Sequence, residues 1–283
     1  MSLDVGQALR AGYDNLATTD GLTVLSVLLA FNLVFEAVVA SFRPRLVERI
    51  RAGQFGLESP RLVIEPPLDL DSFVPELPLS VLAALVLVGL VGNELVRFWA
   101  IRLFASPTRG QLSNAADRVP VVLAVGGGFA LFLFALRKLL PLLWVGEGFQ
   151  TVMLASQTAG VVALVLVGVA VYLRQELALT DAGAAESVRA SIARFVAAPV
   201  PVLGLLAVLG LLGLLTGLPT ALAIYAVGAT PGGGDTVVAV AELVGIVLGA
   251  VLSTFSIATV TDAYLQVRGD AFRERPDSAY RGL

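Results

Sequence analysis

The sequence predicts an all-α fold: a polytopic membrane bundle of six transmembrane helices with short amphipathic interfacial helices. Three observations lead to this prediction. Six apolar stretches are each long enough to cross a hydrocarbon core, which takes about 20 helical residues. Hydrophobic residues make up 57% of the 283 residues and charged residues only 14%, against about 45–50% and 25% in soluble domains. The largest segment outside the spans is the loop of residues 43–78 between the first two apolar stretches, and this loop is too short to form a separate soluble domain.

The six predicted spans follow one another in a single integral membrane domain, residues 1–283. They cover residues 22–42, 79–104, 119–140, 151–173, 202–227 and 237–265. The first follows a polar stretch, so we expect a retained helix rather than a cleaved signal. The RPRLVERIRAG stretch after it either extends this helix or forms a short amphipathic one. Pro219 is expected to kink or end the fifth span, because proline removes a helix hydrogen bond.

Three short segments with apolar residues at helical spacing precede the pairs of spans. They are residues 3–16, 107–119 and 181–196. In the third, Val188, Ile192 and Phe195 recur at i, i+4 and i+7, which places them on one helix face. Arg residues on the opposite face favour helices that lie along the membrane interface. The pattern predicts three two-span repeats at 1–105, 106–178 and 179–268, although any helical hairpin with an amphipathic linker would give the same pattern.

The distribution of basic residues predicts the orientation. Six spans place both termini on one side of the membrane. Twelve of the nineteen Arg and Lys residues fall on that side and seven on the other. The cytoplasmic side normally carries the excess of positive charge. We therefore expect a multi-pass protein of the cell membrane with cytoplasmic N- and C-termini. The opposite orientation would need the cluster from Arg43 to Arg51 to be cytoplasmic.

Charged residues inside the apolar spans are the candidate site residues. Burial of a charge in hydrocarbon is energetically unfavourable, so each such residue needs a structural or functional explanation. Glu36, Arg137 and Glu242 are predicted at similar depths on the side opposite the termini, where they form a candidate polar site that lines an outward-facing cavity. The alternative is that their side chains extend to the interface or form a structural ion pair. Glu94 and Arg97 are three residues apart in the second span, which predicts an intramembrane ion pair.

Small residues mark the helix contacts that we expect within the bundle. Gly213 and Gly217 form a GxxxG motif in the fifth span, and Gly245 and Gly249 form another in the sixth. Glycine lets two helix backbones approach closely in a membrane. These motifs predict packing and carry no chemistry.

The residues that are missing exclude several chemistries. The chain has no Cys and no His, so thiolate and imidazole catalysis and Cys- or His-ligated metals are excluded. We recognise no nucleophile–base pair and no acidic ligand spacing. The sequence therefore predicts no catalytic residue, no cofactor, no metal site and no enzyme activity. A net charge of −3 gives no indication of nucleic-acid binding.

Three stretches carry a resemblance to a known family. They are ALRAGYDNLATTDGLTVLSVLL (8–29), LRQELALTDAGAAESVRASIARF (173–195) and TDAYLQVRGDAF (261–272). With them the chain resembles the uncharacterised six-helix haloarchaeal membrane protein family, which is loosely similar to the glycerophosphoryl diester phosphodiesterase membrane domain. The resemblance implies an archaeal membrane protein with six spans, and it carries over no catalytic residue. Similar sequences often carry a Pro-Gly turn after the third span. The chain departs from this pattern at LLPLLWVGEG (139–148), where Pro and Gly are separated.

Two functions remain after these exclusions, with a third disfavoured. The preferred hypothesis is a membrane scaffold or a subunit that interacts with lipid or a partner, without catalysis. Its partners would be membrane lipids, another membrane protein or further copies of the chain. The alternative is a small transporter or permease-like protein that uses Glu36, Arg137 and Glu242. A lipid-active enzyme is disfavoured because no catalytic constellation is recognised.

Overall fold

A computed structural model describes residues 3–55, 77–105, 114–140, 149–228 and 234–269. Within these ranges the chain is helical and contains no strand, which confirms the all-α class. Several predictions fall outside them. These are residues 56–76 of the loop between the first two spans, residues 107–113 of segment 107–119, residues 141–148 of the stretch LLPLLWVGEG and residues 270–272 of stretch 261–272.

Ten α-helices make up the described chain. They are α1 (Val5–Leu16), α2 (Thr19–Phe55), α3 (Leu79–Phe104), α4 (Ala115–Val121), α5 (Gly128–Phe134), α6 (Phe149–Val169), α7 (Leu173–Leu179), α8 (Ala184–Ala197), α9 (Pro199–Gly228) and α10 (Gly234–Arg268). Two π-helical turns, Val122–Gly127 and Ala135–Leu139, flank α5. Together with α4 and α5 they form the third span.

Six helical stretches of the described chain are long and apolar enough to cross a membrane. They are Thr19–Val47, Leu79–Phe104, Ala115–Arg137, Leu154–Leu179, Pro199–Ala223 and Val237–Arg268. The chain is therefore a multi-pass membrane bundle, as predicted. Helix α2 continues to Phe55, so the stretch after the first span extends that helix. Helix α9 runs through Pro219 to Gly228, so this proline does not end the fifth span.

Local capping explains where the first two helices begin. The Asp4 carboxylate accepts a hydrogen bond from the Gln7 N–H at 2.9 Å, which caps α1. Thr18 Oγ1 accepts one from the Gly21 N–H at 3.0 Å and caps α2 in the same way. Such caps satisfy N–H groups that have no partner within the helix. At Gly21 a side chain would collide with the Asn15 carbonyl, so glycine permits the tight connection between α1 and α2.

Helices α2, α3 and α10 pack against one another at the centre of the bundle. On α2, Phe31 and Phe35 stack with ring centroids 6.1 Å apart. A Cβ at either Gly89 or Gly92 of α3 would collide with one of these rings. The two glycines therefore leave a gap that the aromatic pair fills, which brings α2 and α3 close together.

The remaining spans surround this centre. Helix α9 packs along α10, the third span packs on α3, and α6 packs mainly against the third span. Gly245 of α10 lies against α9, because a Cβ there would be 3.2 Å from the Thr216 carbonyl oxygen. The other members of the two GxxxG motifs make no comparably close approach. One glycine of the four therefore provides the close contact that both motifs predicted.

The largest apolar core lies at the end of the bundle that carries the termini. It includes Val24 and Leu28 of α2, Ile101 of α3, Leu177 of α7 and Leu205 of α9, all at most 1% exposed. A smaller core between α2 and α3 occupies the opposite end. The helices are therefore held most firmly at the terminal end of the bundle.

Helices α1 and α8 correspond to two of the three predicted amphipathic segments. Helix α1 packs on α10, with Ala8 and Ala11 buried. Helix α8 buries Ser187 and Ser191 against the protein, whereas its apolar Val188 is exposed. An outward apolar side and an inward serine side suit a helix at a membrane surface. The interfacial position and the three two-span repeats stay predictions.

Candidate functional site

The fourth span is interrupted near the terminal end of the bundle. Helix α6 ends at Val169, and α7 begins at Leu173 after a turn. The Val171 N–H donates to the Gly168 carbonyl at 3.3 Å, an i to i+3 bond that tightens the chain locally. Irregular backbone at membrane depth is tolerated only where protein surrounds it. Tyr172, in this turn, is 0% exposed, so the interruption is covered by protein.

Three arginines from three helices bind the carbonyl end of α7. Arg102 of α3 donates to the Ala178 oxygen at 3.0 Å, and Arg268 of α10 donates to the Leu179 oxygen at 3.2 Å. Arg118 of α4 is 6% exposed. Its guanidinium donates to the Leu177 oxygen at 3.4 Å and to the Ala182 oxygen at 2.8 Å. We call this group the arginine cap.

The arginine cap has a clear electrostatic cause. The last carbonyls of a helix have no partner within it, and the helix dipole makes that end partly negative. Six of the seven α7 residues are buried, so water cannot readily solvate these carbonyls. Guanidinium groups supply both the missing donors and the opposite charge. The cap therefore ties α3, α4 and α10 to one short helix.

A second cluster surrounds the side chain of Glu176 on α7. Its carboxylate forms an ion pair with Arg194 of α8 and accepts a hydrogen bond from the Tyr264 hydroxyl at 3.2 Å. The Arg194 guanidinium lies 5.0 Å from the centre of the Tyr264 ring, a cation–π distance. Tyr172 packs on the same ring, with centroids 5.9 Å apart. This cluster joins α7, α8 and α10.

The buried carboxylate of Glu94 on α3 pairs with Arg174 on α7, not with the predicted Arg97. Arg174 Nη2 donates to Oε1 at 2.6 Å and Nε donates to Oε2 at 2.8 Å, a bidentate geometry that matches guanidinium to carboxylate. A Cβ at Gly126 would lie 3.3 Å from Glu94 Oε2, so this glycine makes room for the carboxylate. The predicted ion pair is therefore corrected: α7 brings a cation from another helix to both carboxylate oxygens.

Arg97 and Asn93 lie beside this ion pair on α3. Arg97 is close enough to Glu94 and Arg174 to interact with both charges. Its Nε and the Asn93 Oδ1 have no hydrogen-bond partner within the described chain. The two residues are four apart, so they share one helix face. Together, Glu94, Arg97 and Arg174 carry one net positive charge.

The predicted polar site lies at the other end of the bundle. Glu36 is exposed on α2 and Glu242 is partly buried on α10, and the two carboxylates are near enough for their charges to interact. Arg137 is exposed at the end of the third span. Among the described residues, neither carboxylate forms an ion pair with Arg137. The role of these three residues stays a prediction.

Sequence reasoning did not identify the residues that form the most densely bonded part of the molecule. The sequence analysis used Arg102, Arg118, Arg194 and Arg268 as basic charges that fix the orientation or face the membrane interface, and Glu176 only as part of stretch 173–195; it predicted none of them as a site residue. A usable signal was present: an acidic residue and an arginine in LRQEL directly follow an apolar span. Which helices supply their partners depends on packing that the local sequence does not show.

These interactions are structural in their chemistry. The charged side chains bind carbonyls or opposite charges on other helices, and they hold the helices together. Within the described ranges, no group of three acidic side chains is placed to hold a metal ion.

Fold and interactions define a class: an all-α multi-pass membrane protein held together by an internal polar cluster. No family model, no curated protein and no solved structure matches the chain. The resemblance to the haloarchaeal family therefore stays a prediction.

Proposed function

We propose that the protein is a non-catalytic membrane scaffold, a subunit that interacts with lipids or a membrane-protein partner. One observation carries this proposal: at the terminal end, the charges of the arginine cap and of the two ion pairs are engaged with other helices. The arginine cap and the two ion pairs join α3, α4, α7, α8 and α10. Such bonds fix the arrangement of the helices, which a scaffold needs and which leaves these groups committed to structure.

The surfaces of α6 and α9 support the same proposal. On α6, Leu154 and Leu164 are 65% and 64% exposed, and on α9 Leu214 and Tyr225 are 70% and 82% exposed. These apolar faces suit contact with lipid chains, with a partner helix or with a second copy of the chain. Native mass spectrometry of protein purified in mild detergent tests the proposal. We expect a retained lipid or protein of defined mass, and a bare monomer would contradict it.

A transporter is the second candidate, and the proximity of Glu36 and Glu242 favours it. Two neighbouring carboxylates within membrane spans can share and pass a proton. Proteoliposomes with an enclosed pH-sensitive dye would report proton movement under an imposed gradient. Glu36→Gln or Glu242→Gln should abolish that movement with unchanged thermal stability if the carboxylates transport protons. Joint loss of stability and movement would assign them a structural role.

We further propose that both termini are cytoplasmic, in the cell membrane. The chain contains no cysteine, so each introduced cysteine is a unique label site. Glu186→Cys on α8 and Arg49→Cys on α2 replace exposed residues at opposite ends of the bundle. A membrane-impermeant maleimide should label Arg49→Cys in intact cells and Glu186→Cys only after permeabilisation. The reverse pattern would establish the inverted orientation.

A further inference from the structure

A groove of about 860 Å³ opens between the end of α2 and the beginning of α3. It lies at the end of the bundle opposite the termini. Phe42 and Leu46 of α2 and Ala83 of α3 form apolar walls. Phe42 is buried at 7% exposure within the smaller core, so this wall is firmly supported.

Two arginines give the groove a positive charge. Arg45 and Arg49 of α2 both line it, and their four-residue spacing puts them one turn apart on the same face. Arg45 Nη1 donates to the Leu77 carbonyl at 2.6 Å, which fixes its guanidinium between the two helices. Arg49 is exposed. The first span ends at Val47, so the two arginines flank the boundary between its apolar stretch and the polar chain beyond.

The beginning of α3 adds to this charge. Ser80 lines the groove one residue after the helix begins. The residue before the helix, Pro78, makes no side-chain cap. The first N–H groups of a helix and its dipole favour a negative group nearby. The groove thus combines a hydroxyl and two guanidiniums with an apolar wall.

We propose that this groove binds an anionic membrane phospholipid. The phosphate would lie between Arg45 and Arg49, and an acyl chain would follow Phe42, Leu46 and Ala83. Charge complementarity supports this occupant, because arginine binds phosphate in a bidentate manner. The change from basic to apolar lining at the end of a span matches a headgroup above its chain. The inference rests on the proposed lipid-interacting function and assigns it a location.

The test compares two lipids of equal acyl chains, phosphatidylglycerol and phosphatidylcholine, on the full-length protein in detergent. Native mass spectrometry counts the retained lipids during titration. We expect the wild type to retain phosphatidylglycerol about tenfold more tightly, the effect of about one charge-assisted hydrogen bond. Arg49→Gln should remove most of this preference. Because Arg49 makes no described bond to the rest of the chain, this variant should keep the wild-type thermal stability.

Arg189→Gln is the matched control, since Arg189 is an exposed arginine on α8 at the other end of the bundle. It removes the same charge and should leave lipid preference unchanged. An equal loss in both variants would show a general effect of net charge and overturn the proposal. Glycerol phosphate is a further competitor. If it displaced phosphatidylglycerol at equal concentration, the apolar wall would play no part, and the groove would be a site for free anions.

The experiment distinguishes failure of the proposed lipid site from failure of the proposed function. If phosphatidylglycerol is retained equally by wild type and Arg49→Gln, the proposed lipid interaction is supported, but the groove is not the site that binds the lipid. If no lipid or protein is retained at all, both fail. Residues 58–76, in the loop between the first two spans, contain five acidic residues. If Arg49→Gln leaves lipid retention unchanged but makes this segment more sensitive to protease, the segment itself occupies the groove, which also overturns the proposal.

Discussion

Replacement of Arg174 is the most direct test of how this bundle is held together. The variant Arg174→Gln removes both guanidinium bonds to Glu94 and leaves that carboxylate buried. The Glu94 side chain is 2% exposed and the Arg174 side chain is 28% exposed. Arg174→Gln leaves the Glu94 carboxylate beside Arg97, whereas Glu94→Gln leaves the Arg97 and Arg174 guanidiniums, which repel each other, without an anion. We expect the loss of stability to be larger for Glu94→Gln than for Arg174→Gln.

The magnitude follows from the geometry. Two bonds of 2.6 and 2.8 Å join the pair, and hydrogen bonds to charged groups contribute about 1.5–3 kcal/mol each. Removal of one partner of a buried ion pair typically costs about 3–5 kcal/mol. We therefore expect Glu94→Gln to lower the free energy of unfolding by about 3–5 kcal/mol, and Arg174→Gln by about 2–3 kcal/mol, because Arg97 partly compensates the carboxylate that remains. Replacement of both residues by methionine should cost less than Glu94→Gln, because Arg97 is then the one charge left at this position and no second cation repels it.

The assay is reversible unfolding of the purified protein in mixed micelles, followed by circular dichroism. A double-variant cycle of Glu94→Gln with Arg174→Gln gives the coupling between the two side chains. The same cycle with Arg97→Gln should give a much smaller coupling, because Arg97 makes no ion pair with Glu94 in the described chain. Arg189→Gln is again the exposed control, with an expected change within about 0.5 kcal/mol. Losses below about 1 kcal/mol for Arg174→Gln, the value of a surface pair, would refute the reasoning.

Three further predictions concern the same end of the bundle. Arg118→Gln should lower the free energy of unfolding by about 2–4 kcal/mol, since it leaves the buried Leu177 carbonyl and the partly buried Ala182 carbonyl without their charged donor; an unchanged thermal midpoint would contradict the capping role. Gly12→Val should detach α1 from α10, because its side chain would collide with Thr259; hydrogen exchange of α1 amides should rise, with a loss of about 1–3 kcal/mol. Tyr264→Phe should cost about 1.5–3 kcal/mol through its hydrogen bond to the Glu176 carboxylate, whereas Tyr264→Ala should cost about 3–5 kcal/mol because the ring is buried. Equal losses for the two tyrosine variants in thermal unfolding would mean that the ring packing contributes nothing.

The spans were predictable because their signal is local. A helix that crosses the membrane core requires about 20 consecutive apolar residues, and such stretches are visible directly in the sequence. The same reasoning located the helical segments that became α1 and α8. It identified Glu94 as a charge within an apolar span that needs a partner. Each of these inferences uses residues within one or two helical turns, where helix geometry fixes the distances.

Partner choice was not predictable, and Glu94 shows why. Arg97 is three residues away and is the natural partner within a single helix. The partner in the structure, Arg174, is 80 residues away in the chain. It reaches Glu94 because the fourth span is interrupted before Leu173 and because Gly126 leaves space beside the carboxylate. Neither condition is visible without the packing of three helices.

The sequence by itself determined that this chain is an all-α membrane protein with six apolar spans, because hydrophobicity and helix length are properties of consecutive residues. Only the tertiary structure decided that α7, a helix of seven residues, is the point at which the bundle is joined. Its carbonyls and its one carboxylate are bound by arginines from four other helices. A buried polar group must find its partner in space, and the distance along the chain does not tell which partner that will be.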